Sequence, residues 1–248
     1  ERFLLVQDVL TALQDLASLH RKKLGQNGLR VLALTGSNGK TTTKELVARV
    51  LAEKFNVLFT HGNLNNHIGV PLTLLRLTSA HEIAVVEMGA NHRKEISHLC
   101  QIADPDFGLI TNIGLAHLEG FDGPEGVFKG KTEMLDYLEK KSAFAFLLED
   151  EARLHHFKTK MKNLSYGTDV TAEIQGTLHE NNPFVNYEWH ANEIPTRTVH
   201  TQMIGSYNLP NMLGATACGV HFGISADKID AAISSYIPEN NRSQLETR

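Results

Sequence analysis

The residues whose types and spacing best suit chemistry lie in the stretch "LTGSNGKTTTKEL", residues 34–46. Glycines let backbone N–H groups approach phosphate oxygens closely, a lysine neutralises phosphate charge, and a hydroxyl can bind Mg²⁺. The usual pattern has four residues between its first glycine and its Gly-Lys pair, which would place that glycine at Leu34, whereas this chain has Gly36. The stretch therefore indicates either a nucleotide cradle of altered spacing or a tight turn from a strand into a helix.

The surrounding sequence predicts the elements that would position this loop. Apolar runs of strand length alternate with helix-like segments, which indicates a parallel sheet covered by helices on both faces. The second half of the chain changes to period-two alternation, which predicts antiparallel strands followed by two helices near 209–222 and 226–236. The fold class is therefore α/β: a mostly parallel sheet flanked by helices, with a smaller antiparallel β element. The predicted strands are 31–35, 56–60, 83–88, 107–111, 143–148, 172–180, 184–190 and 196–203. The helix after the first strand carries Leu46, Val47, Val50 and Leu51 on one face, and the next three helices lie near 70–77, 93–103 and 124–140.

Polar side chains follow four of the predicted strands at the edge where ligands bind in open parallel sheets. Such ligands lie beyond the carboxyl ends of the strands. This convergence favours the cradle, in which Lys40 neutralises the β- and γ-phosphates and Thr41 binds Mg²⁺. The strand ends carry the loop residues Gly36, Ser37, Asn38, Gly39, Lys40, Thr41 and Thr42, then Asn65 and Asn66, Glu87, and finally Asn112 and His117.

Three residues near this edge are candidates for a metal site. Glu87 closes an apolar strand, where a buried carboxylate is costly unless it is paired or bound to a metal, although a solvated strand end is the alternative. Lys131 lies on the apolar helix face formed with Val127 and Met134, so it either snorkels outward, as the pattern by itself favours, or takes part in chemistry. His117 is either a metal ligand or an ordinary loop histidine.

Composition limits the class of protein. The chain has 248 residues, 42% hydrophobic and 21% charged, with a net charge of −4. These values are typical of a globular protein, and neither a basic stripe for nucleic acid nor an apolar run long enough for a membrane is present in the sequence. The N-terminus does not resemble a signal peptide, and the two cysteines, Cys100 and Cys218, are expected to be buried thiols. We therefore expect a cytoplasmic protein with no disulfide framework, no membrane insertion and no nucleic-acid partner.

Six stretches together resemble the Mur ligase family of ATP-dependent amide-bond ligases. In this family the loop has the form Gly-Thr/Ser-x-Gly-Lys-Thr, which removes the discrepancy in spacing. The resemblance implies an enzyme of peptidoglycan precursor synthesis that adds D-alanyl-D-alanine to UDP-N-acetylmuramoyl-tripeptide through an acyl phosphate. The stretches are "TGSNGKTTTKE", "GNLNNHIGVPLTLL", "EMGANHRKEI", "DFGLITNIGLAHLEGF", "VFKGKTEML" and "GSYNLPNMLGATA". "NHRKEI" departs at Lys94 from the commoner Gly-Glu-Ile form, which leaves the substrate contacts of that loop open.

The resemblance also implies roles for individual residues. ATP would bind the loop at 36–42, and Lys131 would become a carbamate, which turns a cation into an anionic metal ligand. Asn65, Asn66 and Asn112 would contact substrate. The implied Mg²⁺ ligands are Thr41, Glu87, His117 and Lys131; the catalytic set is Lys40, Glu87, His117 and Lys131; and the further nucleotide contacts are Asn208, Asn211 and Arg242, of which Arg242 has the weakest motif.

The family architecture implies three parts for this chain. Residues 1–24 would end an N-terminal domain for the UDP substrate and form a linker helix, 25–237 would be the central ATP-binding domain, and 238–248 would be the hinge to a C-terminal domain. We expect a monomeric fragment that binds nucleotide without completing ligation. Two alternatives are another Mur-type or folate-glutamylating ligase, and a nucleotide-binding module without ligase activity.

Overall fold

The computed structural model describes residues 5–114 and 119–238, with the backbone alone at 180 and 181. Two predicted site residues, His117 and Arg242, lie outside the described residues, as does the predicted hinge beyond residue 238. No helix within the described ranges is long and apolar enough to cross a membrane.

A single nine-stranded sheet forms the centre of the molecule, with the strand order β2-β3-β1-β4-β5-β6-β7-β8-β9. Neighbouring strands are parallel from β2 through β7 and antiparallel from β7 to β9, so the predicted antiparallel element continues the parallel sheet. The strands are β1 Arg30–Thr35, β2 Val57–Phe59, β3 Ile83–Glu87, β4 Phe107–Ile110, β5 Phe144–Leu148, β6 Lys162–Gly167, β7 Ile174–Asn181, β8 Phe184–Ala191 and β9 Ile194–Ile204. β6 is absent from the sequence prediction, because "KNLSYG" has neither an apolar run nor clear alternation.

Seven α-helices in the described part of the chain cover the sheet. They are α1 Val9–Gly25, α2 Lys40–Ala52, α3 Gly69–Leu75, α4 Glu95–Ala103, α5 Pro124–Lys141, α6 Leu209–His221 and α7 Ala226–Ser234. Asp8 caps α1 by accepting a hydrogen bond from Thr11 N at 2.6 Å. Short 3-10 turns at Ala152–Phe157 and Ser206–Asn208 complete the set.

Two hydrophobic cores lie on opposite faces of the sheet, which confirms the prediction of a sheet covered on both sides. Successive residues of β1 point to alternate faces. Leu32 and Leu34 pack with α2, α6 and α7, whereas Val31 and Ala33 pack with α1, α3, α4 and α5. Burial on both faces explains why the central strands are continuously apolar rather than alternating.

The register of the central strands places three loops side by side. Leu34 of β1 lies opposite Glu87 of β3 on one side and Leu109 of β4 on the other. The loop that leaves β1 at residue 36 therefore lies between the residues that follow β3 and β4. This is the carboxyl edge at which open α/β sheets bind their ligands.

Candidate functional site

The glycines of the 36–39 loop are required by close approach to neighbouring elements. A Cβ atom on Gly36 would lie 2.0 Å from Thr111 Oγ1, at the end of β4. Gly39 has φ +75°, a conformation that favours glycine, and a Cβ there would lie 2.6 Å from Asn211 Oδ1 of α6. The loop is therefore tightly fitted between β4 and α6 before α2 begins at Lys40.

Hydrogen bonds fix the backbone of the same loop. Asn112 accepts from Ser37 N through its carbonyl oxygen at 3.0 Å and from Asn38 N through its side-chain Oδ1 at 2.9 Å. Thr111 Oγ1 donates to Asn38 O at 2.6 Å. The predicted substrate contact Asn112 thus also holds the loop in shape.

Lys40 lies over its own loop. Its Nζ donates to Gly36 O at 2.9 Å and to Ser37 O at 3.1 Å. The ammonium is therefore held beside the first turn of α2, where the leading backbone N–H groups of a helix have no intrahelical acceptors. A helix N-terminus with a fixed cation beside it is a suitable site for phosphate oxygens.

A cavity of about 540 Å³, termed the smaller cavity, opens on one side of the loop. Its walls include two predicted nucleotide contacts, Asn208 and Asn211, which are nearly buried. Asn211 Oδ1 accepts from Thr43 Oγ1 at 3.0 Å, and Asn211 Nδ2 donates to Asn208 Oδ1 at 3.0 Å, so both asparagines also brace α2 against α6. The lining residues are Asn38, Gly39, Thr42, Asn112, Tyr207, Asn208 and Asn211.

Glu87 is almost completely buried at the end of β3, with 1% of its surface exposed. Its Oε1 accepts from Asn65 Nδ2 at 2.8 Å and from Thr41 Oγ1 at 3.5 Å. Its Oε2 has no hydrogen-bond donor among the described residues. A buried carboxylate oxygen without a donor is costly, so this atom is suited to a cation.

Lys44 is a functional candidate that was not predicted from the sequence. Its Nζ lies 3.8 Å from Glu87 Oε2, and each side chain is 1% exposed. The same Nζ donates to Gly62 O at 3.3 Å. One available signal was its position on the apolar face of α2, three residues before Val47 and seven before Leu51, which is the pattern that singled out Lys131.

Lys131 does not snorkel to solvent: it is buried on α5, with 2% of its surface exposed. Its Nζ donates to Ala90 O at 3.3 Å and lies 5.2 Å from the ring centroid of Phe121. Desolvation, with a further contribution from the charge of Lys40, lowers the pKa of Lys131 from 10.5 to about 8. The prediction that Lys131 reaches solvent, which the pattern by itself favoured, is therefore wrong, because Phe121 and the residues after β3 cover this part of α5.

The donor set near Glu87 fits a hard cation. Mg²⁺ prefers oxygen ligands and keeps few protein carboxylates, relying on phosphate and water for the rest. Glu87 Oε2 and the Thr41 hydroxyl provide two such oxygens beside the loop. No group of three His, Cys, Asp or Glu side chains converges within the described ranges, so a cation here would depend on oxygens from other sources as well.

A cavity of about 690 Å³, termed the larger cavity, is lined by Lys40, by residues of α1 and α4 and by residues that follow β2 and β3. The predicted substrate contacts Asn65 and Asn66 lie on its wall. Asn66 Oδ1 accepts from Ile68 N at 3.1 Å and from Gly69 N at 2.9 Å, which orders the start of α3. The 36–42 loop therefore borders two cavities, and the turn at 89–95 also lines the larger one.

Comparison with known proteins agrees with this geometry. The family described as Mur ligase middle domain matches residues 34–219. A curated relative, the UDP-N-acetylmuramoyl-tripeptide--D-alanyl-D-alanine ligase of Bacillus subtilis, is 36% identical over 236 residues, covering 92% of this chain and 48% of that protein.

Two solved structures share the fold. The crystal structure of MurF from Acinetobacter baumannii has a TM-score of 0.90 at 31% identity, covering 99% of this chain and 54% of that one. The structure of MurF ligase from Thermotoga maritima in complex with ADP has a TM-score of 0.83 at 30% identity, covering 95% and 54%. The chain thus spans about half the length of the proteins it matches. Because the family match extends over most of its residues, this chain belongs to the Mur ligase family and contains the family's middle domain.

Proposed function

We propose that this chain is the ATP-binding part of a ligase that joins D-alanyl-D-alanine to UDP-N-acetylmuramoyl-tripeptide, forming ADP and phosphate. The observation that carries the proposal is the buried Glu87, whose Oε2 has no donor in the described residues, beside a glycine loop with Lys40 and Thr41. The printed names of the relatives support the choice of substrates.

The nucleotide would lie on the 36–42 loop, with its phosphates at the start of α2 and its remainder toward the smaller cavity. Lys40 would turn from the loop carbonyls to the β- and γ-phosphate oxygens. Asn208 and Asn211 would contact the nucleotide from the N-terminal end of α6, and Arg242 would approach the phosphates. The ADP complex of the Thermotoga maritima relative supports a nucleotide in this fold.

Thr41, Glu87 and His117 would hold Mg²⁺, which would neutralise the charge that repels a carboxylate from a triphosphate. Asn65 positions the carboxylate of Glu87 for this task, because its amide occupies Oε1 and leaves Oε2 directed elsewhere. Lys44 Nζ lies 3.8 Å from the same Oε2, so this ammonium would share the charge of the Glu87 carboxylate with Mg²⁺.

Lys131 would serve as a carbamate. The uncharged amine adds to carbon dioxide, forming an N–C bond and releasing one proton, so a buried cation becomes an anion with two oxygen ligands. The support is its burial beside Lys40, where a second cation is unfavourable, together with its lack of an ion-pair partner among the described residues. Such a group would share the charge of Mg²⁺ with Glu87.

The larger cavity would receive the tripeptide, with its terminal carboxylate toward Lys40. A carboxylate oxygen would attack the γ-phosphorus of ATP, breaking the bond to the β-phosphate oxygen and releasing ADP. The amine of D-alanyl-D-alanine would then attack the acyl carbon, and phosphate would leave. In this scheme Lys40, Asn65 and Asn66 act by holding two anions together, which is how positioning and charge neutralisation accelerate phosphoryl transfer.

Two measurements test this function. The full-length ligase is assayed for ADP release with three substrate sets: the UDP-N-acetylmuramoyl-tripeptide with D-alanyl-D-alanine, the same tripeptide with other amino acids, and a folate with glutamate. Release only with the first set supports the proposal. Calorimetry on this chain should show Mg²⁺-dependent ATP binding that Lys40→Ala weakens at least about tenfold, since it removes a charge-assisted phosphate contact. Equal affinity in the two proteins would remove the cradle assignment.

We also propose the domain organisation given by the family: residues 25–237 as the ATP-binding domain, with 1–24 and 238–248 linking it to its neighbours. α1 packs on the same core as α3 and α4 through Ala17 and Leu24, so this linker helix would move with the ATP-binding domain. We expect the protein to be a monomer, which light scattering tests.

A further inference from the structure

The larger cavity carries positive charge beyond that of Lys40, the residue that the proposed phosphoryl transfer uses. Lys40, Arg93 and Lys94 line it, with Glu95 as the acidic residue on its wall. Arg93 and Lys94 are exposed and belong to the turn between β3 and α4, on the part of the lining formed by residues 89–95. Neither of these two side chains forms an ion pair with any carboxylate among the described residues.

The nearby carboxylates are already committed to backbone groups. Glu95 Oε2 accepts from Asn91 N at 2.7 Å and from His92 N at 3.2 Å. Glu133 of α5 accepts from Lys94 N at 2.6 Å and from Ser97 N at 3.0 Å. These contacts hold the turn in one shape and leave the guanidinium of Arg93 and the ammonium of Lys94 available to a ligand.

The backbone at Lys94 adds a second observation. Its φ of +69° lies in the left-handed region, which glycine adopts at lower cost than any residue with a side chain. A lysine side chain is therefore kept here at a conformational cost, next to a substrate-sized cavity.

The chemistry of the substrate determines which of its groups reaches these cations. In the third residue of the tripeptide, the reacting carboxylate and the side chain are attached to the same carbon atom. If the carboxylate lies at Lys40, the side chain must lie in the same cavity. A lysine side chain would present a lone ammonium to Arg93 and Lys94, whereas a diamino acid with a second carboxylate would present that carboxylate to them beside its ammonium.

We propose that Arg93 and Lys94 select a tripeptide whose third residue carries a second carboxylate, such as 2,6-diaminopimelate, over one that ends in lysine. This inference rests on the proposed ligase function and specifies its substrate. The two cations are specificity-determining residues: they contact the distal carboxylate and take no part in transfer of the phosphoryl group.

The test uses the full-length ligase and two UDP-N-acetylmuramoyl-tripeptides that differ only in ending with 2,6-diaminopimelate or lysine. The measured quantity is the ratio of kcat/KM for the two substrates. The unsubstituted enzyme should prefer the diaminopimelate substrate at least about tenfold, because the second carboxylate adds a charge-assisted contact that offsets the repulsion of the ammonium. Arg93→Ala and Lys94→Gly should each lower this ratio by a factor of about 5 to 10.

Two features of the design separate specificity from folding. Lys94→Gly removes the charge and also relieves the left-handed backbone, so its melting temperature should not fall. Arg76→Ala removes an exposed arginine that lines neither cavity and should leave the ratio unchanged.

Three results would overturn the inference. The first is an unsubstituted enzyme that prefers the lysine substrate or uses both equally. The second is a ratio that Arg93→Ala and Lys94→Gly leave unchanged. The third is an equal loss with both substrates, which would assign the cations to a carboxylate that the two tripeptides share. An unsubstituted enzyme that ligates neither tripeptide would instead contradict the proposed function, and the inference with it.

Discussion

The buried ammonium of Lys131 should destabilise the protein at neutral pH, and its removal should reveal the cost. The pKa of this group falls from 10.5 to about 8 because burial disfavours the charged form. Each pKa unit corresponds to about 1.4 kcal/mol, so the folded state loses about 3 kcal/mol at pH 7 relative to a solvated lysine. Methionine has a similar length without the charge. Allowing about 1 kcal/mol for the lost hydrogen bond to Ala90 O, Lys131→Met should raise the free energy of unfolding by about 2 kcal/mol.

The pH dependence of this effect has a definite sign. Since the folded-state pKa lies below the unfolded value, the unfolded state binds more protons between pH 8 and pH 10.5, and stability rises with pH in that window. The cost is complete below about pH 8. The advantage of the methionine variant should therefore be largest at pH 7 and should narrow steadily between pH 8 and pH 9.5, as the unsubstituted protein gains its neutral amine.

Urea unfolding of the 248-residue chain, followed by circular dichroism in bicarbonate-depleted buffer, measures this difference. Lys129→Met is the matched control, because Lys129 lies on the same helix with its side chain 56% exposed and pairs only with Glu125, at 3.4 Å in the described structure. That control should change the free energy of unfolding by no more than about 0.5 kcal/mol at both pH 7 and pH 9.5. A methionine variant less stable than the unsubstituted chain at pH 7, or a difference that does not vary with pH, would refute the reasoning.

Three further substitutions test the loop and its supports. Gly39→Ala should lower the melting temperature and weaken ATP binding more than Gly28→Ala does. Both positions have positive φ, but only a Cβ at Gly39 would lie against Asn211. Equal effects of the two substitutions in differential scanning fluorimetry and calorimetry would contradict this. Lys44→Met leaves the Glu87 carboxylate buried without its cation and should cost about 3 kcal/mol in urea unfolding, a loss that saturating Mg²⁺-ATP should reduce. Asn112→Ala removes the acceptor for Asn38 N and should weaken ATP binding in calorimetry by about tenfold while α2 remains folded, and unchanged affinity would show that the loop holds its shape without it.

Much of the sheet could be predicted from the chain because its central strands are buried on both faces. β1, β3, β4 and β5 begin and end within one residue of the predicted runs. β6 could not be predicted, because Lys162–Gly167 is mostly polar and becomes a strand only by pairing with β5 on one side and β7 on the other. The joining of the antiparallel strands to the parallel sheet depends on the same long-range pairing.

The candidate site divides in a similar way. The glycine loop, Glu87 and the position of Lys131 on an apolar face follow from residue types and spacing. The contact of Asn211 with Gly39 could not be predicted in this way, because α2 and α6 are far apart in the chain. Thr43 and Asn211, which form a hydrogen bond between the same two helices, are 168 positions apart. Lys44 was missed because hydroxyl residues precede it and the loop pattern ends at Thr41.

The sequence by itself determined most of the central strands, the glycine-lysine pattern of the 36–42 loop and the membership of the family, because these depend on local patterns of residue type. Only the tertiary structure decided the electrostatics of the site. Distant segments of the chain exclude water from parts of the site, and they decide three of its properties. These are the burial of Lys131, the Glu87 oxygen that has no donor, and the cavity that Arg93 and Lys94 line. Desolvation is a property of the packed chain, and it sets the chemistry of these side chains.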